Sequence, residues 1–111
     1  MKPIKDTEDN RKGDMAEYYA ITWLWDQGYE VFHNSGCTGP IDIIAMDKEG
    51  NLTLIDVKTA TTHSYYNHTD KVKEHLQVCA VRTKLQRQLG VRLLSYNPHT
   101  RKLRFIKHKT I

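Results

Sequence analysis

Hydrophobic and polar positions along this chain change period several times, and each change marks an element. From about Gly13 or Asp14 to Asp26, Ala20, Ile21 and Leu24 recur at helical spacing, and Gly28 stops the run. Tyr29-Glu30-Val31-Phe32-His33 then alternates at period two, as a strand does. A turn-rich stretch, Asn34 to Pro40, leads to two apolar runs near 41–47 and 51–58, joined through Asp47-Lys48-Glu49-Gly50-Asn51. Residues 59–69 are polar without a period and are expected to form a loop. A second helix is expected from about Asp70 to Leu89, with Thr69 or Asp70 as N-cap and Gly90 as terminator. Its apolar stripe shifts midway, from Val72, Leu76 and Cys79 to Val78, Val81, Leu85 and Leu89, which predicts a bend or burial on two sides. The stretches 91–96 and 102–106 read as the last strands, turning through Asn97-Pro98-His99. The expected order is α-β-β-β-α-β-β. It describes one α/β domain over 13–111, a mixed sheet flanked by helices, after a polar segment 1–12.

Four polar residues break this pattern where a buried sheet would want apolar ones. Asp42 opens the run Ile41-Asp42-Ile43-Ile44-Ala45, while Asp56 and Lys58 interrupt Leu52-Thr53-Leu54-Ile55-Asp56-Val57-Lys58. Glu17 lies on the apolar face of the first helix, three, four and seven positions from Ala20, Ile21 and Leu24. Buried charges are costly unless they are paired or hold a metal. Each has a plain explanation alone: a first-turn glutamate favoured by the helix dipole, a strand-end aspartate bonded to backbone, an intrastrand ion pair. Together they suggest more. Residues i and i+2 on a strand share a face, so Asp56 and Lys58 lie side by side. Three carboxylates and an amine suit a hard divalent cation and an activated water beside it.

Charge sharpens the picture. Residues 1–56 carry 5 Lys and Arg against 11 Asp and Glu, while 57–111 carry 12 against 2. An acidic half holding the carboxylates is thus joined to a basic half, which points to a polyanionic partner, most simply nucleic acid, unless the basic half is only a solvated surface. Lys71, Lys73, Arg82, Lys84 and Arg87 are the candidate phosphate contacts. Cys37 and Cys79 form no CxxC pair, and Cys79 falls at an apolar helix position that predicts burial. Six histidines show no metal-ligand spacing. No apolar run spans a bilayer and the polar start is no signal peptide, so no membrane role and a cytoplasmic location are expected.

At the four residues the chain resembles the PD-(D/E)xK nuclease superfamily. The motifs are Gly39-Pro40-Ile41-Asp42 with Ile43-Ile44-Ala45, then Ile55-Asp56-Val57-Lys58. Upstream, Arg11-Lys12-Gly13-Asp14-Met15-Ala16-Glu17 followed by Gly28-Tyr29-Glu30-Val31 is similar to archaeal-type Holliday-junction resolvases, and to small homing endonucleases that share a Val-Lys-Thr ending like Val57-Lys58-Thr59. The residue before Asp42 is Ile41, with Pro40 one place earlier than in the family name. The resemblance implies a restriction-endonuclease-like fold. It also implies that Asp42, Asp56 and the Val57 carbonyl bind Mg²⁺ (or Mn²⁺), with Glu17 supporting it through water. Lys58 would assist the attacking water, and Gln77 is a candidate supporting residue. The implied function is a homodimeric, metal-dependent DNA endonuclease, structure-selective on branched or duplex DNA. Homing or restriction-type cleavage and a non-cleaving binding module are the alternatives. The intact quartet argues against the last, because inward carboxylates repel phosphate unless metal is present. Trp23 and Trp25 straddle the first helix, and at least one is expected to meet solvent or a partner.

Overall fold

The computed structural model describes residues 9–36, 38–66 and 72–108. Helix α1 (Asp9–Asp26) is followed by strands β1 (Glu30–His33), β2 (Ile43–Met46) and β3 (Leu52–Thr59). A hairpin of β4 (Thr61–Tyr66) and β5 (Val72–Gln77) comes next, then the short helix α2 (Lys84–Leu89), β6 (Arg92–Tyr96) and β7 (Leu103–Phe105). The main sheet has the order β1-β2-β3-β6-β7, and β4 and β5 form a separate two-stranded sheet. Within the main sheet only β3 and β6 run parallel. This is the expected mixed α/β architecture.

Period-two alternation divides the sheet into two faces. Ile43, Ala45, Ile55 and Leu94 point toward α1, where they pack with Ala20, Ile21 and Leu24 in one buried cluster. Trp23 covers part of it and lies against Phe105, while Trp25 is exposed. The helix ends where Gly28 adopts a left-handed φ of 92°, with Tyr29 N–H donating to the Leu24 carbonyl and Gly28 N–H to that of Trp25. Those paired bonds are a Schellman closure, which a side chain at Gly28 would strain. The opposite face carries Ile44, Leu54, Asp56 and Lys58, so the charged residues stand away from the core that α1 builds.

Three expectations are corrected. Helix α1 begins at Asp9, four or five residues before the predicted start, which places Gly13 inside the helix. The stretch 59–69 contains β4 rather than only loop, and the long helix over 70–89 is replaced by β5, a connector and six helical residues. Thr61-Thr62-His63-Ser64-Tyr65-Tyr66 is rich in strand-favouring β-branched and aromatic residues, and its register with β5 pairs Thr61 with Gln77 and Tyr66 with Val72. The midway shift of the apolar stripe marked this break, not a bend. Consequently Cys79 lies exposed in the connector instead of in a core, and Gln77 sits on a strand. Residues 69–71, including the expected N-cap and Lys71, fall outside the described residues, as does Cys37. Among the described residues no helix is long and apolar enough to cross a membrane.

Candidate active site

Strand pairing brings the two aspartates together. Ile43 pairs with Ile55 across the antiparallel β2–β3 ladder, so extending the register by one residue sets Asp42 opposite Asp56. The loop before β2 is held by Asn34, whose Nδ2 donates to the carbonyls of Thr38 and Ile41 while its Oδ1 accepts from Gly36 N–H. Gly39 turns this loop at φ 89°, a conformation that favours glycine. Asp42 enters the sheet with its N–H donating to the Ile55 carbonyl, and its Oδ2 accepts from Val57 N–H at 2.8 Å.

Asp56 is buried, with 7% of its surface exposed. Its Oδ2 accepts from Gln86 Nε2 at 2.8 Å and lies 3.3 Å from Lys58 Nζ. Burial pushes the Asp42 carboxyl from its ordinary 3.8 up to about 7. A hydrogen bond with Asp56 and the charges of Asp56 and Glu17 act in the same direction, and the Val57 N–H opposes them. The pair is therefore two carboxyl groups close enough to share a proton, a state that a positive charge between them relieves.

Gln86 was not legible as a site residue, yet it ties the site together. It occupies the third position of α2, where its N–H donates to Thr83 Oγ1 and its Oε1 accepts from Thr83 N–H. That reciprocal capping box fixes the amide so that Nε2 reaches both the Pro40 carbonyl, at 3.0 Å, and Asp56. The signal in the sequence was Thr83-Lys84-Leu85-Gln86, the S/T-x-x-E/Q start of a helix, with Gly90 as its stop. Gln77, the expected supporting residue, is exposed on β5.

Glu17 lines the same cleft of about 590 Å³ as Asp42, Asp56, Lys58 and Gln86. Its Oε1 pairs with His33 Nε2 at 2.9 Å, a partner that the alternation of β1 gave no reason to single out. Among the described residues no group of three or more His, Cys, Asp or Glu is arranged to hold a metal. Val81 and Leu85 form an apolar lip on the cleft, and Val81 is 79% exposed.

The expected phosphate contacts separate. Lys84 and Arg87 are exposed on α2. Arg82 is buried, and its Nη1 donates to the Val91 carbonyl at 3.1 Å, which corrects its reading as a surface contact. Lys73 belongs to β5.

The chain matches the model of "Uncharacterised protein family UPF0102" over residues 16–106. A UPF0102 protein of Trichlorobacter lovleyi is 31% identical over 67 residues, which cover 57% of this chain and 51% of that one. The match thus spans about half the length of that relative. A solved structure of a bacterial homing endonuclease, I-Ssp6803I, is similar with a TM-score of 0.58 and 16% identity, covering 90% of this chain and 69% of the other. At that identity the likeness speaks to the fold.

Proposed function

Because the chain belongs to the UPF0102 family and carries this cleft, we propose that it is a metal-dependent DNA endonuclease that hydrolyses phosphodiester bonds. One observation carries the reading: Asp42 and Asp56 are pressed together so that Asp42 holds its proton up to about pH 7. Two crowded carboxylates beside a lysine gain from a divalent cation, and an all-oxygen donor set suits Mg²⁺, with Mn²⁺ able to replace it. Few protein donors fit this ion, because Mg²⁺ keeps several of its waters. Asp42, Asp56 and the Val57 carbonyl would hold it, with Glu17 reaching it through water. When bound, such an ion polarises the phosphoryl oxygens and acidifies water.

The remaining steps belong to the chain itself. Gln86 donates to Asp56 and the Val57 N–H to Asp42, so a hydrogen bond orients each carboxylate for the substrate. Lys58, whose side chain is 41% exposed, reaches into the cleft to orient the attacking water and to offset charge that develops on the phosphoryl group. The exposed Lys84 and Arg87, and the basic half as a whole, supply affinity for the phosphate backbone.

Branched DNA is our preferred substrate, cut in resolvase fashion by a homodimer, with cleavage of duplex targets as the second reading. The similarity to a homing endonuclease structure favours that second reading at the level of fold. Four-way junction, flap, duplex and single-stranded DNA, each incubated with Mg²⁺, Mn²⁺ or chelator, separate the two. No cleavage of any substrate with either metal would overturn the proposal.

A further inference from the structure

Apart from the acidic cleft, a pocket of about 750 Å³ lies between the first turns of α1, the end of β3 and the β6–β7 turn. We propose that it receives a nucleotide of the bound strand next to the cleavage point, a reading that rests on the endonuclease function above. Its volume falls within the roughly 300–1,000 Å³ usual for small-molecule sites. Met15, Ala60, Tyr96 and Pro98 give it apolar walls, while Lys12, His99 and Arg101 bring positive or protonatable groups and Thr59 a hydroxyl. Among the described residues no carboxylate lines it, in contrast to the cleft with Glu17, Asp42 and Asp56. That combination suits a sugar and base against the walls and a phosphate at the cations.

Two backbone features border this pocket. Arg101 adopts φ 64°, and it is the only non-glycine residue with positive φ among the described residues. The turn imposes this conformation, with Arg101 N–H donating to the Asn97 carbonyl and Asn97 N–H to that of Lys102. Glycine or asparagine normally fills such a position, so an arginine there carries local strain. Its guanidinium lies 4.9 Å from the centroid of the Tyr19 ring and donates to Tyr96 Oη at 2.9 Å, with Tyr19 stacked on Tyr96. A guanidinium carries five N–H donors, so this anchoring leaves others for a phosphate. Gly13, the second feature, stands inside α1, where glycine disfavours helix, and a side chain there would meet nothing within 4 Å. Packing does not require it. Its bareness keeps the pocket open.

Continuity with the cleft decides the occupant. Gly13 lines the pocket and Glu17 the cleft, one helical turn apart on α1 and about 6 Å along its axis. One polynucleotide strand can therefore occupy both.

Affinity for a fluorescent DNA strand, measured in chelator so that no cleavage intervenes, tests the proposal. Arg101→Gly removes the fork and relieves the strain, and Gly13→Leu fills the pocket from a position that tolerates it. We expect each to weaken binding by five- to tenfold with a melting temperature equal to or above that of the natural chain, and to raise KM where cleavage is followed. Natural affinity in both variants overturns the pocket while leaving cleavage by the natural chain, and so the endonuclease reading, intact. Arg101-dependent binding with no cleavage in Mg²⁺ or Mn²⁺ supports the pocket and overturns the endonuclease. Arg101-dependent binding of a deoxynucleoside monophosphate without binding of any strand overturns the strand occupant in favour of a free nucleotide, and no binding of either overturns both.

Discussion

The Gln86 side-chain amide donates to Asp56 Oδ2 at 2.8 Å and to the Pro40 carbonyl at 3.0 Å, so one buried side chain links α2, β3 and the loop that delivers Asp42. Replacing it by leucine leaves a buried carboxylate and a carbonyl without their donor, which costs on the order of 1–3 kcal/mol. Because the same amide orients Asp56, which we propose as a metal ligand, Mg²⁺ affinity or cleavage should fall by roughly 10–100-fold, the range for residues that orient metal ligands. Thermal melting and metal titration of Gln86→Leu measure both effects. Undiminished metal affinity would show that Gln86 is only a packing residue.

Asp42→Asn and Asp56→Asn should each abolish cleavage and spare DNA binding, since the basic half is untouched. Lys58→Ala should lose about 10²–10³ in rate, as expected when one electrostatic stabiliser of a transition state is removed. Cleavage assays beside binding isotherms decide the matter. Full activity in Asp56→Asn would refute the mechanism.

Stability of the metal-free protein should depend on pH through Asp42. Its carboxyl titrates near 7 in the folded chain and near 3.8 when free, so between those values the folded state binds a proton that the unfolded state has lost. Stability must then fall as pH rises from about 4 to 7, and flatten above. Melting temperatures in chelator should follow that slope in the natural chain, and Asp42→Asn should reduce it. Added Mg²⁺ should stabilise more at about pH 8 than at about pH 5, because the ion needs the deprotonated carboxylate. A natural chain whose melting temperature climbs through this window would contradict the assignment.

Much of this site was legible because its residues violate local rules. Charges at Asp42, Asp56 and Lys58 interrupt strands that the apolar alternation defines clearly, and antiparallel pairing of neighbouring strands then brings the aspartates together. The family match and the shared fold support the PD-(D/E)xK resemblance that these motifs carry. What failed was the segment 59–89. Lys73, Glu74, Leu76 and Gln77 belong to good helix formers, but strand pairing with Thr61–Tyr66 outweighs that preference, and no periodicity in one segment reveals a partner in another. Gln86 was lost for the same reason: a helix drawn as starting near Asp70 hides the capping box at Thr83. His33 could not be found at all, since its pairing with Glu17 depends on how α1 lies beside β1.

DNA affinity should fall steeply with salt as phosphate contacts release counterions. Arg87→Gln and Lys84→Gln should each lower affinity and flatten the salt slope by about one unit per lost contact. Arg82→Gln should act differently. Its guanidinium holds the Val91 carbonyl in the interior, so its loss should lower melting temperature more than it changes the salt slope. Binding titrations across a salt series separate the classes. Affinity that is flat with salt would argue against a phosphate-driven interface.

The homodimer is expected to form through the sheet face that α1 leaves uncovered. Register places Phe32, Ile44 and Leu54 in one row across β1, β2 and β3, with Met46 and Leu52 paired in the next. Phe32 and Leu52 are exposed and the others half-buried, which is a contiguous apolar surface of the kind that partners cover. The long amphipathic helix first expected to supply a second apolar side does not exist, so this face replaces it. Along β3 the same face runs from Leu52 and Leu54 to Asp56 and Lys58, so a two-fold pairing here would set two cleavage sites on one side of the dimer, as paired incision of a junction requires. Sedimentation at micromolar concentration should show a dimer, and Phe32→Glu with Leu52→Lys should split it and turn paired incisions into single nicks. A natural chain that remains monomeric, both free and on DNA, rules out the dimer and favours a simple nicking nuclease over a resolvase.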